Sequence, residues 1–241
     1  MFIFKLLITL IYITKSINGN IYEKCINPKH ITFTFDDGPD EITQQLVNIL
    51  NKYQIKGTFF INGINIIKNP KYKNMLKQIN NEGHILSSHT FSHSALEKIN
   101  KFNIYRELYD NELIFRELIN MRPRYFRPPY FSYNDDIFDV INNHFGYDLI
   151  ATNMMANDWD GISSQAIYDF WVNKLITEPE TGKIILIHDD IFNNIQALEI
   201  FIEYGLSNNY TFVNLIDCVG HITAYIEDNK YSPNLLNGIN N

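Results

Sequence analysis

Two rhythms of apolar and polar residues alternate along this chain. Short runs dense in Ile, Leu, Phe, Val and Thr occupy residues 31–35, 57–61, 84–87, 125–127, 148–152, 183–188 and 210–213. Runs of that length, punctuated by Gly, Pro, Asn or Asp, read as β-strands. Between them lie longer stretches with apolar residues at helical spacing, over 41–53, 71–80, 101–119, 135–143, 163–177 and 194–204. Asp40 and Ser163 stand just before two of these, where their side chains can accept hydrogen bonds from first-turn amides as N-caps. Strands alternating with helices predict an α/β fold around a parallel sheet of about seven strands. Closure of that sheet into a (β/α) barrel would place an active site at the C-terminal ends of the strands. No Gly/Ser- or Pro-rich linker divides residues 25–220, and no repeat is visible.

The ends differ from the middle. Residues 1–19 carry Lys5, an apolar run from Leu6 to Thr14 and small or polar residues up to Gly19, the pattern of a secretory signal. That run is shorter than the roughly 20 apolar residues a bilayer requires, so no stable membrane insertion is expected once it is cleaved. Residues 20–241 are expected to form the functional domain, with its core over about 31–213 and a polar tail over 222–241. Two cysteines remain, Cys25 and Cys218, which an oxidising compartment would pair into a disulfide or a reducing one leave as buried thiols. Asn209-Tyr210-Thr211 is the single glycosylation sequon and agrees with secretion. The chain of 241 residues has 27 acidic against 20 basic side chains, a formal charge of −7, with no basic block; this argues against a nucleic-acid partner.

The unusual residues cluster at predicted strand ends. Thr34-Phe35-Asp36-Asp37-Gly38-Pro39 closes an apolar strand with two adjacent carboxylates, a costly arrangement unless a cation offsets them; a plain surface turn is the bland reading. Ser88-His89-Thr90-Phe91-Ser92-His93 carries two histidines four apart, which share one face of a helical turn and can point at one ion. Asp36 or Asp37 with His89 and His93 makes a two-His, one-carboxylate set. Three protein ligands leave coordination positions open, the pattern of a catalytic divalent metal. Such a metal lowers the pKa of water and polarises a carbonyl, and the spare carboxylate can serve as general base. Arg127-Pro128-Pro129-Tyr130 offers a carboxylate-binding guanidinium on a stiffened chain, with a surface ion pair as the bland reading of Arg127. Asn157-Asp158-Trp159 and the strand Ile184-Ile185-Leu186-Ile187-His188-Asp189 complete the set; His188 reads as a general acid or as a satisfied core histidine.

Together these five segments resemble the polysaccharide deacetylase family, the domain shared by chitooligosaccharide, chitin and peptidoglycan deacetylases. The resemblance runs from about residue 31 to 213, and residues 152–159 (TNMMANDW) look most like the corresponding segment of chitin deacetylases. It implies a distorted (β/α) barrel and a secreted or wall-associated enzyme. The implied reaction is metal-dependent removal of N-acetyl groups from chitin or a related N-acetylglucosamine polymer. It implies that Asp37, His89 and His93 bind the metal, zinc or alternatively cobalt. Asp36 is then the base, oriented by Arg127. The Tyr130 backbone N–H stabilises the oxyanion, and His188, tuned by Asp158, protonates the leaving amine. Pro128, Tyr130, Trp159 and Leu186 line the acetyl pocket.

Two positions depart from the family's usual pattern. Phe131 follows Tyr130 where Gly is usual, and a large side chain there can narrow the groove. Met155 stands where an acid is usual, and loss of a partner for His188 would alter its pKa or aim. These departures leave two alternatives: a catalytically impaired, wall-associated chitin-binding homologue, or an acetyl esterase of the same family, since esters need less help from a general acid.

Overall fold

The computed structural model describes residues 20–226. The signal segment expected at 1–19, and the tail from 227 onward, lie outside the described residues. The strands are β1 (Ile21–Tyr22), β2 (His30–Asp36), β3 (Thr58–Ile61), β4 (Ile85–Ser88), β5 (Arg122–Pro123), β6 (Tyr125–Phe126), β7 (Asp148–Ile150), β8 (Met154–Met155), β9 (Lys183–His188), β10 (Thr211–Phe212) and β11 (Tyr225–Ile226). The α-helices are α1 (Thr43–Lys52), α2 (Gly63–Lys68), α3 (Tyr72–Asn81), α4 (Lys101–Ile119), α5 (Asp135–Asp139), α6 (Ser164–Thr177), α7 (Asn193–Ser207) and α8 (Leu215–Val219).

The expected α/β architecture is present. Nine strands form one sheet in the order β1-β7-β6-β4-β3-β2-β9-β8, with β10 beside the start of β2, and every pairing in it is parallel. The order begins at β1 and ends at β8, so the sheet curls into a half-barrel instead of closing hydrogen bond by hydrogen bond. Two short strands exceed the expected seven. β1 adds to β7, and β8 forms just beyond the run expected over 148–152, which is strand only as far as Ile150, and pairs with β9. The C-terminal segment is not all tail: β11 pairs antiparallel with β5.

Alternation along each strand sorts side chains between the two faces of the sheet, and the buried residues form three clusters, one of them around Phe126 and Leu149. Ile31, Phe33 and Phe35 of β2 pack outward with Leu46, Val47 and Leu50 of α1, Trp171 of α6 and Phe201 of α7. Facing the other way, Phe60, Ile85, Tyr125, Ile150 and Ile184 fill the inside of the curl with Cys25, Leu215, Cys218 and Val219. Each large side chain so removed from water contributes about 1.5–3 kcal/mol before entropy is subtracted. Cys25 and Cys218 are joined by a disulfide, with Cα atoms 4.4 Å apart. It lies at the N-terminal end of β9, where the Gly182 position faces the backbone of Cys25 and Asn27 with no room for a side chain.

Ser163 caps α6 as expected, its side chain accepting from the Ala166 N–H at 3.2 Å. Asp40 does not cap α1. That helix begins at Thr43 with Ile42 at the N-cap, and Asp40 accepts from the Ile42 N–H at 3.3 Å in the preceding turn. Among the described residues no helix is long and apolar enough to cross a membrane.

Candidate active site

Parallel register gathers the chemistry at one end of the sheet. Asp36 is directly across from His188 between β2 and β9, Ser88 across from Phe126 between β4 and β6, and Met155 across from Leu186 between β8 and β9. The residues that follow β4 and β6, His89 and Arg127, are therefore neighbours at the same level. These C-terminal strand ends open into a cleft of about 630 Å³.

The Asp36 carboxylate is buried. Its Oδ1 accepts from Arg127 Nη1 at 2.7 Å. Arg127 is fully buried as well, and four acceptors use its donors: Asp36, Thr34 Oγ1 (2.9 Å), and the carbonyls of Ile150 (2.9 Å) and Ala151 (3.0 Å). Its guanidinium lies 4.4 Å over the Phe60 ring. A surface ion pair is thereby excluded. Arg127 spans the inside of the curl and donates to carbonyls where the chain leaves β7.

Asp37 follows with a backbone φ of 76°, in the left-handed region that turns its carboxylate away from that of Asp36. Its Oδ1 lies 3.3 Å from His89 Nε2 and 3.0 Å from His93 Nε2. One ligand atom from each of the three residues lies within 4.8 Å of the others, close enough to share an ion. His89 Nδ1 donates to the Arg127 carbonyl at 2.6 Å, which fixes the tautomer and leaves Nε2 free to ligate. Burial pushes the Asp37 carboxyl up, but in the metal-free protein His89 and His93, when they carry a proton on Nε2, outweigh it by hydrogen bond and charge and hold the group far below the usual carboxylate range.

The two histidines do not share a helical turn. Residues 89–95 form a loop in which Thr90 (φ 67°) and His93 (φ 62°) are both left-handed, and the His93 N–H donates to Thr90 Oγ1 at 3.1 Å. The i, i+4 spacing thus reaches one ion by a different backbone path from the one expected.

His188 ends β9. Its Nδ1 donates to Asp158 Oδ1 at 2.7 Å, and its backbone N–H to Asp158 Oδ2 at 2.8 Å. Its Nε2 faces the cleft, 3.9 Å from Asp37 Oδ2. Burial pushes the imidazole down, yet the bond and charge of Asp158, with Asp36 and Asp37 behind, raise it to about 9. His188 is therefore no satisfied core histidine, and its carboxylate partner is Asp158 whatever stands at 155. Met155 simply lines the cleft.

Pro128, Tyr130, Trp159 and Leu186 all line the same cleft. Tyr130 is 70% exposed with its ring 4.7 Å from that of His93, and Trp159 stands edge-on to His188 at 5.1 Å. The amides of Phe131 and Ser132 bond back to the Pro128 and Pro129 carbonyls, whereas the Tyr130 N–H has no backbone acceptor among the described residues. Tyr130 (φ 58°) and Phe131 (φ 50°) are both left-handed. A glycine would suit position 131 because the backbone there is strained for any side chain. Phe131 is in the cleft wall and leaves the cleft open.

Residues from three further positions take part without having been anticipated. Asp190 and Ile191 line the cleft, and Asn194 reaches Asp158 from α7. No apolar rhythm or charge pattern marks them; only the path of the chain after β9 brings them in. Asp189 is fully buried beneath Gly38, its carboxyl pushed up by burial and held by the Thr43 hydroxyl at 2.6 Å.

A family profile described as polysaccharide deacetylase matches residues 23–150. A chitin deacetylase of Arthroderma benhamiae is 33% identical over 172 residues, which cover 71% of this chain and 46% of that protein. A peptidoglycan-N-acetylglucosamine deacetylase of Bacillus cereus is 30% identical over 172 residues, covering 71% of this chain and 60% of its own. The chain thus spans roughly half the length of the curated relatives it matches. Among solved structures, the chitin deacetylase of Colletotrichum lindemuthianum superposes with a TM-score of 0.81 at 25% identity, covering 87% of this chain and 96% of that one. The profile spans more than half of the sequence and includes the TFDDGP, SHTFSH and RPPY segments. The chain belongs to the polysaccharide deacetylase family.

Proposed function

We propose that the protein is a secreted, metal-dependent deacetylase that hydrolyses N-acetyl groups of chitin or a related N-acetylglucosamine polymer and releases acetate. The observation that carries this reading is the convergence, in one cleft, of an arginine-paired carboxylate, a carboxylate–imidazole–imidazole set and a carboxylate-paired histidine. Amide hydrolysis needs a base for water, an acceptor for oxyanion charge and a proton for the departing amine. Each need has one candidate here.

Asp37, His89 and His93 would hold the metal. Two nitrogens and one oxygen suit zinc, with cobalt as a substitute, and the fixed Nδ1–H of His89 supports the fit. When bound, the metal polarises the acetyl carbonyl and lowers the pKa of water. Asp36 takes the proton of the attacking water, and Arg127 keeps its carboxylate aimed. The Tyr130 N–H donates to the oxygen that gains charge as water adds to the carbonyl carbon. His188 delivers the proton to the nitrogen as the C–N bond breaks, freeing the sugar amine and acetate. Trp159 and Leu186 enclose the methyl group. The buried disulfide supports an oxidising, extracellular or wall location.

The impaired and esterase alternatives drew their motive from Phe131 and Met155. The open cleft and the Asp158–His188 pair favour neither. The test is acetate release from a defined N-acetylglucosamine oligomer together with metal analysis of the purified protein. Asp36→Asn is expected to lose at least 100-fold in kcat while keeping its metal, and chelation is expected to abolish turnover. Absence of acetate from every chain length would overturn the reading.

A further inference from the structure

The carboxylate of Asp158 receives more hydrogen bonds than its histidine supplies. Oδ1 takes the His188 Nδ1–H, and Oδ2 takes the His188 backbone N–H. A third donor comes from another element: Asn194, in the first turn of α7, directs Nδ2 to Asp158 Oδ2 at 2.6 Å and to the His188 carbonyl at 2.8 Å. Asn194 is completely buried. Its amide orientation is fixed by chemistry, because a flip would set Oδ1 against a carboxylate and a carbonyl, two acceptors. Its Oδ1 has no hydrogen-bond partner among the described residues, so the side chain is held in place by its NH₂ alone.

The geometry points to Asn194 as the positioning residue for the proton-donating pair, clamping Asp158 and the end of β9 into one rigid unit. Removing the amide leaves Oδ2 with a single donor and lets the carboxylate rotate. The imidazole then loses its aim at the leaving nitrogen, though nothing that binds metal or activates water is touched. This inference rests on the proposed reaction and adds a residue to it.

That separation supplies the test. A sugar amine needs its proton to depart, whereas 4-nitrophenolate leaves without one. Purified Asn194→Ala is expected to lose 10–100-fold in kcat for acetate release from an N-acetylglucosamine oligomer, with KM unchanged. Its hydrolysis of 4-nitrophenyl acetate and its metal content are expected to stay within about twofold of the unsubstituted protein. Asn194→Asp keeps the shape but replaces the donor with an acceptor, and is expected to show the same split should the alanine variant fold poorly. Equal losses on both substrates would mark a merely structural residue, and no loss on either would remove the role; each overturns the inference. An unsubstituted protein that releases no acetate from the oligomer would instead overturn the proposed reaction, a result read before any variant is made.

Discussion

Arg127 illustrates how one side chain can tie a site to the fold that carries it. Its guanidinium is fully buried against Asp36 and two carbonyls. Breaking a buried pair by removing one partner leaves an uncompensated charge, at a cost of about 3–5 kcal/mol. Arg127→Met is therefore expected to lower the stability measured by urea denaturation by that amount; a loss under 1 kcal/mol would contradict it. Gly38 makes a second case. A methyl group there would sit 2.1 Å from Asp189 Oδ2, and that carboxyl is immobilised by Thr43. Gly38→Ala is expected to cost about 1–3 kcal/mol and to weaken the proposed metal binding by shifting Asp37, as titration with a divalent metal would show. At this scale the sequence was informative where residue type alone limits chemistry, as for the paired carboxylates and the two histidines. It was silent on burial, which is why Arg127 admitted a surface reading. On partners distant in sequence only the family resemblance spoke; it named Asp158 for His188, and the absence of an acid at 155 drew attention all the same.

At the scale of elements, the long periodic segments were legible and the short ones were not. Helix α4 runs over the expected residues, and α6 begins one residue after its cap because Ser163 supplies the capping oxygen. Ser163→Ala is expected to cost about 1 kcal/mol in thermal or chemical denaturation. Strands β1, β8 and β11 are two residues each. Two residues carry no period, and pairing with β7, β9 and β5 creates these strands. The loop over 89–95 was read as a helical turn because spacing alone cannot distinguish a helix from a pair of left-handed residues that close the same distance.

For the whole molecule, the disulfide and the charge at the site set how stability responds to conditions. Joining residues 193 apart removes loop entropy from the unfolded chain, on the order of 4–5 kcal/mol. Cys25→Ala with Cys218→Ala is expected to lower the denaturant midpoint accordingly, and an unchanged midpoint would count against it. His188 gives a pH dependence. Its folded pKa is raised to about 9, above the ordinary value of 6.5, so its contribution is fully present below pH 6.5 and is lost as pH rises through 9. In metal-free protein, the stability advantage over His188→Gln is expected to fall by up to about 3 kcal/mol across that window; a flat difference would contradict it.

The two described ends of the chain, near residues 20 and 226, attach beside the beginnings of β7 and β6, and the disulfide fastens the same side. The cleft opens on the opposite side. The described chain therefore enters and leaves the domain on the side away from the cleft. Relatives in which the matching segment is only about half of the protein are what such an arrangement permits.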